Sequence, residues 1–376
     1  MNSKRCVRVV AALCFLGLVV LCSMQWLPTE LIGQQAAVTQ QQESEGQGKL
    51  PILPVDKLPA TNLNAKIPEG LAKQSPVPSD NPLTEEKVAL GRKLFFDPIL
   101  SEDATVSCAS CHQPDHGFAS PDPKAIGLRG RMGKRNAPSL LNKAYAPHLF
   151  WDGRVKSLEE QAIVPLSNPE EMGSDIQDAI DRLRASEEYV ALFESAFEDS
   201  GSGDGKGETA ENVIRPETIG QAIASFERTL LIGNSKVDQF RGADYKSLSE
   251  SARQGMWIFD SRGKCWKCHS TKTFSDQEFH NTGVGFGQED RDEGRMEFTK
   301  EPEDRFKFKT PGLRGVAETA PYMHDGSIAT LREVVEFYNR GGSQDDPQLS
   351  DDIEPLNLSE EDIDNMVEFL KALGQN

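Results

Sequence analysis

The chain has 376 residues, with 59 Asp and Glu against 41 Lys and Arg, a formal charge of −18 and 7% aromatic residues. That length accommodates two domains, each with its own core. So acidic a chain excludes nucleic acid as the natural partner and suits a small basic protein instead.

Lys4, Arg5 and Arg8 precede a nearly unbroken apolar run from Val9 to Leu27, the pattern of an export signal. The run lacks a good small-x-small cleavage site and is long enough to stay as a membrane anchor. Residues 1–27 therefore read as a signal peptide or a membrane tether, and Leu21 before Cys22 argues against lipoprotein processing. Residues 28–81 are rich in Gln, Pro, Ala and Lys without apolar periodicity and read as a flexible lead. Order is expected to begin at Leu83, which staples onto Val88 while Thr84 caps a helix carrying Gly91 and Phe95. That helix leads into Cys108-Ala109-Ser110-Cys111-His112. The Gly/Ser/Asp-rich segment 199–208 reads as a surface loop, and a helix is expected from Pro216 to Leu231.

The domain boundary falls near 233–238, giving an N-terminal domain 82–235 and a C-terminal domain 236–376. In the second, Ser249 caps a helix with Gly255 and Phe259 in the same G-x-x-x-F spacing, leading into Cys265-Trp266-Lys267-Cys268-His269. Residues 288–308 are charged and aperiodic, an excursion. A helix is expected from Ser327 to Arg340, ended by Gly341-Gly342, and a last one opens on a Ser359/Asp362 capping box with Ile363, Met366, Val367 and Leu370 on one face. No strand pair is expected. The fold class is mainly α, with two cytochrome c-like domains.

The two C-x-x-C-H runs carry the chemistry. Two thiols three residues apart reach the two vinyl groups of one porphyrin, and the adjacent imidazole becomes the proximal iron ligand. The seven cysteines are these four plus Cys6, Cys14 and Cys22 of the N-terminal segment, so no disulfide or zinc site is left over. Cys108, Cys111 and His112 are expected to hold one covalent haem c, and Cys265, Cys268 and His269 a second. Covalent attachment outside the cytoplasmic membrane agrees with export to the periplasm or cell envelope.

Four further runs occur in order after Val106-Ser107 and the first haem run: Arg135-Asn136-Ala137-Pro138-Ser139, Phe150-Trp151-Asp152-Gly153-Arg154, Asn168-Pro169-Glu170-Glu171-Met172 and Tyr322-Met323-His324-Asp325-Gly326-Ser327. Together they resemble the bacterial di-haem cytochrome c peroxidase family, which includes the MauG group of methylamine utilisation, over roughly residues 82–374.

The resemblance implies that the N-terminal haem is the peroxide site and that the C-terminal haem passes it electrons. Many members close the first haem at rest with a second His; counting from His112, the matching position is Leu128, which cannot ligate iron. The first haem is therefore expected to be open, with His116 as the rival that would close it. The resemblance assigns Glu171 as the catalytic carboxylate, with Gln161 and Pro165 shaping the distal side and Trp151 as a relay between the haems. Fourteen residues after His324, where many members carry Met, this chain has Tyr338, as in the MauG group; it is expected to be the sixth ligand of the second haem, with Met323 and Met296 as substitutes. Asn136 and the carbonyls of Thr319 and Pro321 match the family's inter-domain Ca²⁺ site. His324 is given a structural role, and His148 and His280 none.

The function implied is reduction of hydrogen peroxide to water with electrons from a small cytochrome c or copper protein. The alternative is a MauG-like enzyme that uses peroxide to oxidise a protein or organic substrate. A third reading is an electron-transfer cytochrome without catalysis. The resemblance also raises a homodimer.

Overall fold

In the computed structural model the described residues are 67–73, 77–197 and 213–375. The expected export segment, most of the expected lead and the expected 199–208 loop lie outside them. Among the described residues no helix is long and apolar enough to cross a membrane.

Helix α1 (Glu85–Phe96) starts where Thr84 accepts the Lys87 amide. Helix α2 is the single turn Cys108–Cys111 of the first haem run. Then follow α3 (Leu158–Ser167), α4 (Ile176–Arg184), α5 (Glu187–Phe197) and α6 (Pro216–Glu227). Helix α6 stops short of the expected Leu231, because Arg228 to Leu230 turn to bring the Leu230 carbonyl onto the Asn142 amide at 2.8 Å. The second half holds α7 (Lys236–Arg241), α8 (Glu250–Phe259, capped by Ser249), α9 (Met296–Thr299), α10 (Leu331–Asn339) and α11 (Glu360–Lys371). Helix α10 begins four residues later than expected, at a Thr330/Glu333 capping box that ends the extended backbone before it.

One strand pair does form: β1 (Phe279–His280) runs antiparallel to β2 (Phe308–Lys309). It closes the base of the 288–308 excursion, a pairing of distant two-residue segments that no local pattern announces.

Each half has its own apolar cluster. Phe95, Phe96 and Phe226 centre the first, with Leu90, Leu94 and Phe193 fully buried. Phe259, Phe274 and Phe369 centre the second. The two share a construction detail in the G-x-x-x-F helices. A Cβ on Gly91 of α1 would lie 1.8 Å from the Ala222 carbonyl of α6, and one on Gly255 of α8 would lie 2.0 Å from the Asn365 carbonyl of α11. Glycine there lets two helix backbones touch, so the following Phe reaches the core beneath the haem run. Gly255→Ala is expected to cost about 2–3 kcal/mol through forced separation of α8 and α11, read as a lowered denaturation midpoint of the holoprotein.

The end of the expected lead is packed rather than free. The Glu69 carbonyl accepts the Asn234 amide at 2.7 Å, Leu71 is buried, and the Gly70 carbonyl accepts from Arg314 at 2.9 Å. Arg314 also forks onto Asp238 at 2.7 and 2.8 Å. Apolar periodicity is no guide to such a segment, because its anchors are backbone carbonyls.

Candidate active site: two cavities with a shared wall

Both haem runs present their histidine in the same way. His112 Nδ1 lies 3.0 Å from the Phe118 carbonyl, and His269 Nδ1 lies 2.9 Å from the Phe274 carbonyl. A carbonyl only accepts, so each imidazole carries its proton on Nδ1 and offers Nε2 as a lone pair, the tautomer an iron ligand requires. The two phenylalanines adopt the left-handed backbone, φ 56° in both, which turns their carbonyls inward. Burial lowers both imidazole pKa values, that of His112 to about 4, so both remain neutral ligands.

The four cysteines are unpaired. Burial raises all four thiols, Cys108 to about 12 and Cys111 to about 11. They are poor thiolate or metal sites and well suited to uncharged thioethers.

Each run opens onto a cavity. The first, about 490 Å³, is lined by Cys111 and His112 and also by Gln161, Pro165 and Glu171. The second, about 260 Å³, is lined by Cys265, Cys268, His269 and Tyr338. The donor set suits a haem c at both: two uncharged thiols for thioether attachment and an imidazole whose free Nε2 can meet its iron.

On the first cavity, Glu171 is held by Asn168, whose Nδ2 donates to its Oε1 at 2.7 Å. Burial raises its pKa above the ordinary carboxylate value, against this hydrogen bond and the nearby Arg154 charge, which lower it. Leu128 is fully buried and absent from the cavity wall; its amide donates to the Glu171 carbonyl at 2.7 Å. Gly127 permits that approach, since a Cβ there would lie 2.1 Å from the Glu170 carbonyl. His116 is also absent from the wall and sits beside Asp115. His148, given no role from sequence, does line the cavity, with its Nδ1 buried and unpartnered and its ring edge-on to Phe279 at 5.7 Å.

On the second cavity, burial and then the neighbouring thiols raise the Tyr338 phenol above its ordinary value, while Thr282 hydrogen-bonds to it. Met323 also lines this cavity; Met296, on the excursion, does not. His280 lines it too, paired with Asp276 at 2.8 Å. His324 is buried and stacked on Phe308 at 3.5 Å.

The two cavities share a wall that includes Asn136, Pro138, Lys143, Trp151, Lys309 and Pro311. Trp151 is fixed at both ends: its indole N–H donates to the Asn136 carbonyl at 2.9 Å, and its own carbonyl accepts the Lys309 amide at 2.8 Å. Lys143 and Lys309 were not singled out from sequence. Burial lowers the Lys143 pKa to about 8 and the Lys309 pKa to about 7, the latter aided by the charge of Lys143. Two buried amines therefore face the space between the haem sites, where anionic porphyrin side chains would favour their charged forms and offset the cost of burying them.

Asn136, Thr319 and Pro321 all line the second cavity. Asn136 Nδ2 donates to the Asp122 carbonyl at 3.0 Å, which leaves its Oδ1 for another partner, and no backbone N–H among the described residues is bonded to the Thr319 or Pro321 carbonyl. These oxygens are of the type a hard cation uses.

Residues 85–246 match the family model described as di-haem cytochrome c peroxidase. The chain is 38% identical over 300 residues to methylamine utilization protein MauG of Methylorubrum extorquens, covering 79% of this chain and 81% of that one. It is 33% identical over 298 residues to cytochrome c551 peroxidase of Pseudomonas aeruginosa, covering 78% and 80%. A crystal structure of a MauG-like protein associated with microbial copper homeostasis superposes with a TM-score of 0.72 at 31% identity, over 85% of this chain and 95% of the other. With these likenesses and two histidine-bearing cavities in one mainly helical body, the chain belongs to the di-haem cytochrome c peroxidase family, whose members include both MauG and the bacterial cytochrome c peroxidases.

Proposed function

We propose that this enzyme reduces hydrogen peroxide to water at the N-terminal haem, with electrons relayed through the C-terminal haem from a small cytochrome c or copper protein in the periplasm or cell envelope. The observation that carries the reading is Glu171: a carboxylate on the wall of the His112 cavity, a wall from which Leu128 is absent. The haem, when bound, would supply the iron at which the O–O bond is broken and would pass on the two electrons that come from the donor protein. Glu171 takes the proton from the near oxygen of peroxide and returns it to the departing oxygen, which leaves as water. Asn168 holds the carboxylate in place through Oε1, and Gln161 and Pro165 fill the wall beside it. Trp151, on the shared wall, is the relay between the two haems; its indole N–H bond to the Asn136 carbonyl fixes the ring and the Lys309 amide fixes its backbone.

Cys108, Cys111 and His112 would hold the first haem, and Cys265, Cys268, His269 and Tyr338 the second. Asn136 Oδ1 and the Thr319 and Pro321 carbonyls would hold Ca²⁺ beside the shared wall. Steady-state oxidation of a reduced small c-type cytochrome by hydrogen peroxide tests the reading. Stoichiometric consumption of two donors per peroxide supports it, and no consumption contradicts it.

A second reading is favoured by Tyr338 and Leu128 together: a MauG-like oxidation of a protein or organic substrate, with peroxide as the oxidant. A phenolate favours the oxidised iron, so a second haem ligated by Tyr338 would give up electrons more readily than one ligated by a thioether. Slow decay of the peroxide-oxidised protein in the presence of reduced cytochrome supports this reading over the first.

A further inference from the structure

Residues 292–298 belong to the C-terminal half, yet Glu297 and Phe298 line the N-terminal cavity. Two attachments bring them there. Arg135 forks onto Asp292 at 2.7 and 2.8 Å and reaches Asp152 at 2.6 Å, with its side chain only 13% exposed. Arg295 donates to the Asp152 carbonyl at 2.9 Å. Gly153, at φ +70°, lies under the second, since a Cβ there would meet Phe279 at 2.3 Å and the Arg295 guanidinium at 2.9 Å. A buried bidentate pair of this kind is strong and directional, so the base of the segment is rigid.

Its tip is different. The Phe298 ring lines the cavity but is 52% exposed, so it stands where the cavity meets solvent. Lys134, also on the cavity wall, is joined to Glu297 by an exposed pair at 3.4 Å, and Arg135 lies 3.6 Å from the same carboxylate. The exposed Lys134 pair contributes little to stability. The mouth is thus framed by a fixed base, an aromatic ring and a weak ionic bridge.

We propose that segment 292–298 is the outer lip of the N-terminal cavity and that Phe298 sets the size of oxidant admitted, passing hydrogen peroxide and excluding bulky organic hydroperoxides. This rests on the reading of the N-terminal haem as the open peroxide site. The side chain of Phe298 acts by obstruction, so its removal widens the mouth without touching His112 or Glu171.

The test is an optical titration of the diferric holoenzyme with cyanide and with 4-phenylimidazole, comparing wild type with Phe298→Ala. The variant is expected to bind 4-phenylimidazole about tenfold more tightly or better, with cyanide affinity near the wild-type value. The ratio of kcat/KM for cumene hydroperoxide to that for hydrogen peroxide should rise in parallel. Cyanide binding by both proteins with no change in 4-phenylimidazole affinity would overturn the lip proposal alone. Failure of the wild-type diferric protein to bind cyanide would overturn the open-site reading, and the lip proposal with it.

Discussion

Glu171→Gln is expected to retain both covalent haems and lose about 10²- to 10⁴-fold in peroxide turnover. The amide keeps the shape of the side chain and can still contact Asn168, but it cannot carry the proton between the two peroxide oxygens. The pH profile separates this from a packing defect. Burial raises the Glu171 pKa, and the group works as a base, so it must be ionised in the free enzyme. Activity should therefore fall as pH drops through a value above the ordinary carboxylate range, and the variant should lack that limb. Full turnover in Glu171→Gln, or the same acid limb in both proteins, would remove Glu171 from the mechanism.

Tyr338→Phe is expected to alter the low-spin haem spectrum and raise the potential of the C-terminal haem by on the order of 100 mV or more, because axial ligands tune haem over a wide range. The structure supports the test in two ways: Tyr338 shares a cavity with His269, and burial holds its phenol neutral unless a cation is adjacent. An iron beside it is such a cation, and would favour the phenolate. Phe conserves the ring that packs on α10 beside Phe337, so a change would report ligation rather than collapse. An unchanged spectrum would refute Tyr338 as a ligand, and Met323, on the same cavity wall, would then be examined first.

Much of this site was legible in sequence because its signals are local. Thr84, Ser249 and Ser359 cap helices through contacts three residues away, and each C-x-x-C-H run states its own attachment chemistry. What was missed depends on distant partners. The Phe118 and Phe274 carbonyls that set the histidine tautomers lie five or six residues on, in irregular loops with no pattern beyond a shared Phe. Lys143 and Lys309 look like two of many surface lysines until the fold buries them in one wall. Arg135 appears in a recognisable run, but its clamp on Asp292 spans the two halves. The role of His148 as a cavity residue and the absence of His116 from the wall are likewise consequences of loop geometry, which residue counting cannot supply.

The central claim is that the N-terminal haem is open in the diferric protein and faces Glu171. Electron paramagnetic resonance of the diferric holoenzyme, before and after one equivalent of hydrogen peroxide, tests it most directly. The expected result is one high-spin and one low-spin signal, with the high-spin signal lost at once on mixing. Two low-spin signals that persist in peroxide until the protein is reduced would contradict the claim and point to His148, the second imidazole on that cavity wall, as the residue that closes it.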